Sequence, residues 1–168
     1  MPEGGTTRTA VVGIGNAIMS DDGVGESVVK ALQERELPDD VDATHAGTTA
    51  FFALEAMDGA DRAVVVDAVA TGDAPPGAVH RYRYRDGGFD GATPDVLMHD
   101  FSLTDALQAG RTAYDLPDEL VVVGVEPATT DPGVELSDPV AESVPAVVDA
   151  VFEELTTEDI PETRRTKA

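Results

Sequence analysis

Four side chains in this 168-residue sequence could do chemistry together: the adjacent acids Asp21 and Asp22, the acid Asp67, and the imidazole of His99. Asp21-Asp22-Gly23 stands where a loop gives way to a helical pattern. There the helix dipole and free N–H groups favour negative charge, and aspartate is also a common cap. Asp67 closes the apolar run Ala63-Val64-Val65-Val66. A carboxylate in that place costs free energy unless it is paired or holds a cation, which makes it the better candidate for chemistry. His99 follows Val96-Leu97-Met98 in a loop, whereas His45 and His80 have less to recommend them. Asp22, Asp67 and His99 together would offer two oxygens and one nitrogen to a divalent ion and leave coordination positions open. Imidazole suits nickel or zinc, and carboxylates tolerate many metals.

Other chemistries drop out on composition and spacing. The chain has no Cys, which removes disulfides, thiolate zinc sites, iron–sulfur clusters and cysteine nucleophiles. Gly13-Ile14-Gly15-Asn16 follows a strand, but Ile18 stands where the dinucleotide fingerprint needs its third glycine, and no GK[ST] occurs. An acidic pair after the first strand and an acid after the third also resemble a phosphate-accepting receiver domain. That pattern wants a lysine after the last strand, where this chain has Val125-Glu126-Pro127.

The elements that must position these residues follow from periodicity. Thr9–Gly13 reads as a strand and Val24–Leu32 as a helix with Val24, Val28, Ala31 and Leu32 on one side. Val41–Ala46 reads as a strand, Ala50–Met57 as a helix, and Arg62–Ala68 as a strand covered on both faces. Val79–Arg85 alternates like an edge or half-exposed strand and carries Arg81, Arg83 and Arg85, the one basic patch; its expected duty is to offset neighbouring carboxylates. Ser102 is a candidate cap for a helix Leu103–Ala109 that stops at Gly110. Leu120–Val125 is the last strand, and an amphipathic helix runs over Asp138–Leu155 through Pro145. Strands alternating with helices predict one three-layer α/β/α sandwich around a twisted, mostly parallel sheet of about five strands, spanning residues 1–155, with a polar, disordered tail at 156–168. Ligands in such sheets bind beyond the carboxyl ends of the strands.

With 11 Lys+Arg against 33 Asp+Glu the net charge is −22. Such a surface repels phosphates, so nucleic acid and anionic membranes are not expected partners. No apolar run approaches the ~20 residues that span a bilayer, and the N-terminus lacks a basic region followed by an apolar one. The expectation is a cytoplasmic protein. The acids are spread over nearly every polar segment, and Lys30 and Lys167 are the only lysines. That surface is similar to those of proteins from salt-loving archaea, where salt shortens the reach of self-repulsion.

Gly13-Ile14-Gly15-Asn16-Ala17-Ile18-Met19-Ser20-Asp21-Asp22-Gly23-Val24-Gly25 resembles the opening signature of the hydrogenase maturation endopeptidases. The likeness continues in order through Ala46-Gly47-Thr48, Val64-Val65-Val66-Asp67-Ala68, the His99 loop and Val122-Val123-Gly124-Val125-Glu126-Pro127. The resemblance implies a five-stranded α/β domain and an aspartic-type endopeptidase. Its substrate would be the precursor of a nickel–iron hydrogenase large subunit, cut at its C-terminal peptide after nickel insertion. It implies that Asp22, Asp67 and His99 contact the nickel and do the catalysis, with Asp21 in support. No metal would be permanently bound: the substrate contributes the nickel, for which cadmium or zinc could substitute, and a monomer is the expected state. His45 stands where the family often has an acid and Ala46 where it often has glycine, which makes His45 a candidate to line the same cleft. A maturation chaperone that binds the precursor without cutting it is the further alternative.

Overall fold

The computed structural model describes residues 7–48, 50–85, 88–89 and 103–156. Its strands are β1 (Thr9–Gly13), β2 (Val41–His45), β3 (Arg62–Ala68), β4 (Val79–Arg85), β5 (Gly88–Phe89) and β6 (Glu119–Val125). Its helices are α1 (Val24–Gln33), α2 (Ala50–Met57), α3 (Leu103–Gly110) and α4 (Asp138–Thr156), with a 3-10 turn at Ser20–Gly23. The strands form one sheet in the order β2-β1-β3-β6-β4-β5. β2, β1, β3 and β6 are parallel; β4 runs antiparallel to β6, and the two-residue β5 pairs only with the end of β4. The expected mostly parallel sheet is present, with β5 as a sixth, minimal strand.

The two faces of the sheet bury separate cores. On one, Val12, Val65, Tyr84 and Val122 pack with Ala53, Leu54 and Met57 of α2 and Leu107 of α3. On the other, Val11, Val64, Val66 and Val123 pack with Val24, Val28 and Leu32 of α1 and Val140, Val147 and Val151 of α4. Covering both faces is why β1, β3 and β6 read as unbroken apolar runs. Each fully buried valine or leucine contributes about 1.5–3 kcal/mol by leaving water. That is what holds the helices, and hence the loops between them, in place.

β4 shows what alternation does. Tyr82 and Tyr84 face the α2/α3 core, so Arg81 and Arg83 face α4 on the other side. Arg81 Nη1 and Arg83 Nη2 lie 2.9 and 3.1 Å from Glu154 Oε2, a carboxylate whose side chain is 1% exposed. Arg81 Nη2 also pairs with Glu153, and Arg62 Nη2 donates to the Glu154 carbonyl at 2.9 Å. The hydrogen bond from Arg81 to Glu153, against the cost of burial and with the Glu154 bond added, holds the guanidinium above its usual pKa. The basic strand therefore clamps the last turn of α4, as its charge pattern suggested. α4 continues through Pro145. No helix among the described residues is long and apolar enough to cross a membrane.

Candidate functional site

The order β2-β1-β3 means that the chain leaves β1 toward one edge of the sheet and reaches β3 by crossing back over the other face. Such a reversal opens a crevice at the carboxyl ends of β1 and β3. Three glycines of the opening motif close the backbone around that crevice. A Cβ on Gly13 would lie 2.5 Å from Gly25 O; one on Gly25 would lie 2.6 Å from Ile14 O and 2.8 Å from Val66 O. One on Gly15, whose φ is +135°, would lie 2.0 Å from Asp22 O. The first turn of α1 thus rests directly on the ends of β1 and β3, which only residues without Cβ atoms permit. Ile14 N donates to Val66 O and Gly15 N to Gly47 O, both at 2.9 Å. The loops after β1 and β2 are thereby tied together at the end of β3.

The structure separates the two neighbouring acids. Asp21 is fully buried and accepts four hydrogen bonds: from Ala128 N (2.8 Å), Thr129 N (3.1 Å), Ser137 N (2.7 Å) and Ser137 Oγ (2.8 Å). Burial alone would raise its pKa, but these donors, Ser137 N first, together hold it below the usual carboxylate range. Its role is to fasten the loop after β6 to the loop after β1. Asp22 is half-buried, and its Oδ2 accepts from Asn16 N at 2.8 Å. Among the described residues Asp22 Oδ1 has no hydrogen-bond partner. Neither acid caps α1 through its side chain, because the N-cap is Gly23. In place of capping, Asp21 tethers two loops and Asp22 accepts from the backbone of its own loop.

Asp67 sits opposite Gly124 in β6 and is half-buried. By alternation with Val65 it faces the α2/α3 side. Its Oδ1 accepts from Ala68 N at 2.8 Å. The 3-10 turn carrying Asp22 packs against β3, the strand that Asp67 nearly closes. His45 lies at the end of β2, where its Nε2 is 3.2 Å from Gly15 O, a hydrogen bond when that nitrogen carries the proton. His99 lies outside the described residues, as does Ser102. Among the described residues no group of three or more His, Asp or Glu side chains is arranged to hold a metal ion. Two carboxylates at one sheet end can take a divalent ion only with further donors.

One buried acid with a structural duty was not among the candidates. Glu126 follows β6 and is 4% exposed. It accepts from Thr71 Oγ1 (2.6 Å), Thr71 N (3.2 Å) and Gly72 N (3.0 Å). Burial alone would raise its pKa, but the Thr71 hydroxyl, the two amides and nearby His80 lower it. Burial and this carboxylate push the Tyr82 phenol up. Glu126 fixes the loop that leaves Asp67, as Asp21 fixes the loop on the other side. The signal was available, because Glu126 closes an apolar strand just as Asp67 does. These tethers also dispose of the receiver arrangement: Asp21 is enclosed by donors, and the position after β6 holds a tethered glutamate instead of a lysine.

A family model described as HycI, hydrogenase maturation protease, matches residues 27–154, a span that holds Asp67 and His99 and begins after Asp22. The hydrogenase 2 maturation protease of Escherichia coli strain K12 is 29% identical over 154 residues, covering 88% of each chain. The fold is similar to that of the E. coli hydrogenase maturating endopeptidase HybD, with a TM-score of 0.77, 27% identity, and 90% of this chain and 94% of that one covered. It is also similar to the hydrogenase 2 maturation peptidase of a Thaumarchaeota archaeon, with a TM-score of 0.68, 31% identity, and 89% and 99% covered.

Proposed function

Because this chain belongs to the hydrogenase maturation protease family, we propose that it is the endopeptidase that removes a C-terminal peptide from the precursor of a nickel–iron hydrogenase large subunit once nickel has been inserted. What supports the site assignment is that the turn carrying Asp22 packs against β3, near whose carboxyl end Asp67 stands, with Gly13, Gly15 and Gly25 letting the backbone segments approach closely there. In this reading Asp22, Asp67 and His99 contact the nickel that arrives with the substrate, and the protein keeps no metal of its own. Two carboxylates and one imidazole leave positions on the ion open for the precursor's own ligands. Gripping the ion fixes the scissile bond against the site, which makes an intermolecular encounter effectively intramolecular. The ion can polarise the scissile carbonyl or a water, and the carboxylate oxygen of Asp22 or Asp67 that does not hold the ion can take the water's proton. Asp21 and Glu126 are positioning residues: they hold the loops on either side and touch no substrate. Nickel thus acts as the sign that the precursor is ready.

The test is to incubate the protein with nickel-loaded and nickel-free precursor in molar KCl and to weigh the products by mass spectrometry. Loss of the C-terminal peptide only from the loaded precursor, abolished in Asp22→Ala, Asp67→Ala and His99→Ala, is the expected result. Full activity of His99→Ala removes the metal-reading model. A precursor that binds and is never cut establishes the chaperone alternative instead.

A further inference from the structure

Among the described residues nearly all large apolar side chains are buried or partly buried. Among the described residues the exposed ones are Ile18 (62%), Phe51 (60%), Phe52 (57%) and Val134 (80%). Single exposed apolar residues are ordinary, but these fall into two pairs at one end of the sheet. Phe51 and Phe52 lie on the outer side of the first turn of α2, while Ala53, Leu54 and Met57 of the same helix are buried. That turn follows Gly47, which accepts the hydrogen bond from Gly15 N. Ile18 lies in the loop between β1 and Asp22, and Gly133 N donates to its carbonyl at 2.9 Å while Ser20 N donates to Gly133 O at 2.8 Å. This short bridge joins the loop that carries Ile18 to the loop that carries Val134. One pair therefore stands beyond β2 and the other on the joined loops after β1 and β6, with the Asp22/Asp67 crevice at the same sheet end.

We propose that these pairs form a two-part apolar rim that receives apolar side chains of the substrate polypeptide close to the bond to be cut. The inference rests on the protease reading, and it names which part of this surface recognises the precursor. Two features favour a polypeptide substrate as occupant over any other partner. The rim residues lie on the segments that follow β1, β2 and β6, at the same end of the sheet as Asp22 and Asp67. The chain as a whole carries a formal net charge of −22, so attraction by charge is open only to basic partners and is weakened by salt, whereas apolar contact is not screened. Aromatic anchors beside a site are also the residues that most often dominate a protein interface.

The experiment compares wild type with the double variants Phe51→Ser/Phe52→Ser and Ile18→Ser/Val134→Ser, reading equilibrium binding of nickel-loaded precursor, cleavage at saturating precursor, and sedimentation. Because the four side chains are exposed, both variants should melt with the wild type. The expected result is binding weakened about tenfold or more in each variant, with the cleavage rate at saturation retained. Unchanged binding in both variants, while wild type cleaves the precursor, overturns the rim and leaves the protease reading standing. Wild type that neither binds nor cleaves the precursor overturns both. Conversion of a wild-type dimer to monomer by the variants, with precursor binding unchanged, overturns the rim by assigning it to self-association.

Discussion

Replacing Asp21 with alanine removes the acceptor of four hydrogen bonds of 2.7 to 3.1 Å. Bonds to a charged acceptor contribute about 1.5–3 kcal/mol each when dry. Ala128 is exposed, and Thr129 and Ser137 are half-buried, so water recovers part of this, and roughly 1 kcal/mol each is the fitting figure. The total is about 4 kcal/mol, a large share of the 5–15 kcal/mol that stabilises a typical domain. At about 2–4 °C per kcal/mol for a chain of this size, the melting temperature should fall by about 8–16 °C. Asp21→Asn should recover little, because its amide nitrogen would turn a donor toward donors. Asp22→Ala loses only the bond from Asn16 N, about 1 kcal/mol or about 2–4 °C, yet should abolish processing. Thermal melts followed by circular dichroism in molar KCl, with cleavage measured on the folded fraction, separate the two. Equal melting temperatures, or a larger loss in Asp22→Ala, would refute the division of labour between these neighbours.

Acid stability follows from the same tethers. Asp21 and Glu126 are both held below the usual carboxylate range, so their stabilisation is fully present above the unfolded values near ~4 and is lost as pH falls through the folded ones. Urea midpoints should be level above about pH 5 and drop below about pH 4; an equally steep drop in Asp21→Asn would contradict this. Gly25→Ala should cost about 1–3 kcal/mol, because its Cβ would press on two backbone oxygens at 2.6 and 2.8 Å, and should slow cleavage by displacing the turn that carries Asp22. A melting curve and a cleavage rate both equal to wild type would count against the close approach. At a net charge of −22, the melting temperature should rise from dilute to molar KCl, and an unchanged value would show that self-repulsion is not limiting.

Much of the fold was legible because its signals are local. The unbroken apolar run of β3 and the alternation of β4 each follow from which faces are covered, and both strands have the expected bounds. The helix α2 begins and ends where Gly47 and Gly59 frame it. Glu154 was hidden: it sits near the end of an amphipathic helix among other acids, and its burial depends on two arginines 71 and 73 residues away.

The sequence by itself determined the layered α/β class, the acidic surface, the absence of thiol chemistry, and the candidacy of Asp22 and Asp67, because each is a matter of composition or of position relative to an apolar run. Only the tertiary structure decided that Asp21 and Asp22 have different duties. Two adjacent aspartates are alike in sequence, and what distinguishes them is the loop that folds over one of them, with donors contributed by residues 107 to 116 positions along the chain. It likewise turned three glycines from flexible residues into points of backbone contact, because a missing Cβ has consequences only when another segment occupies its space.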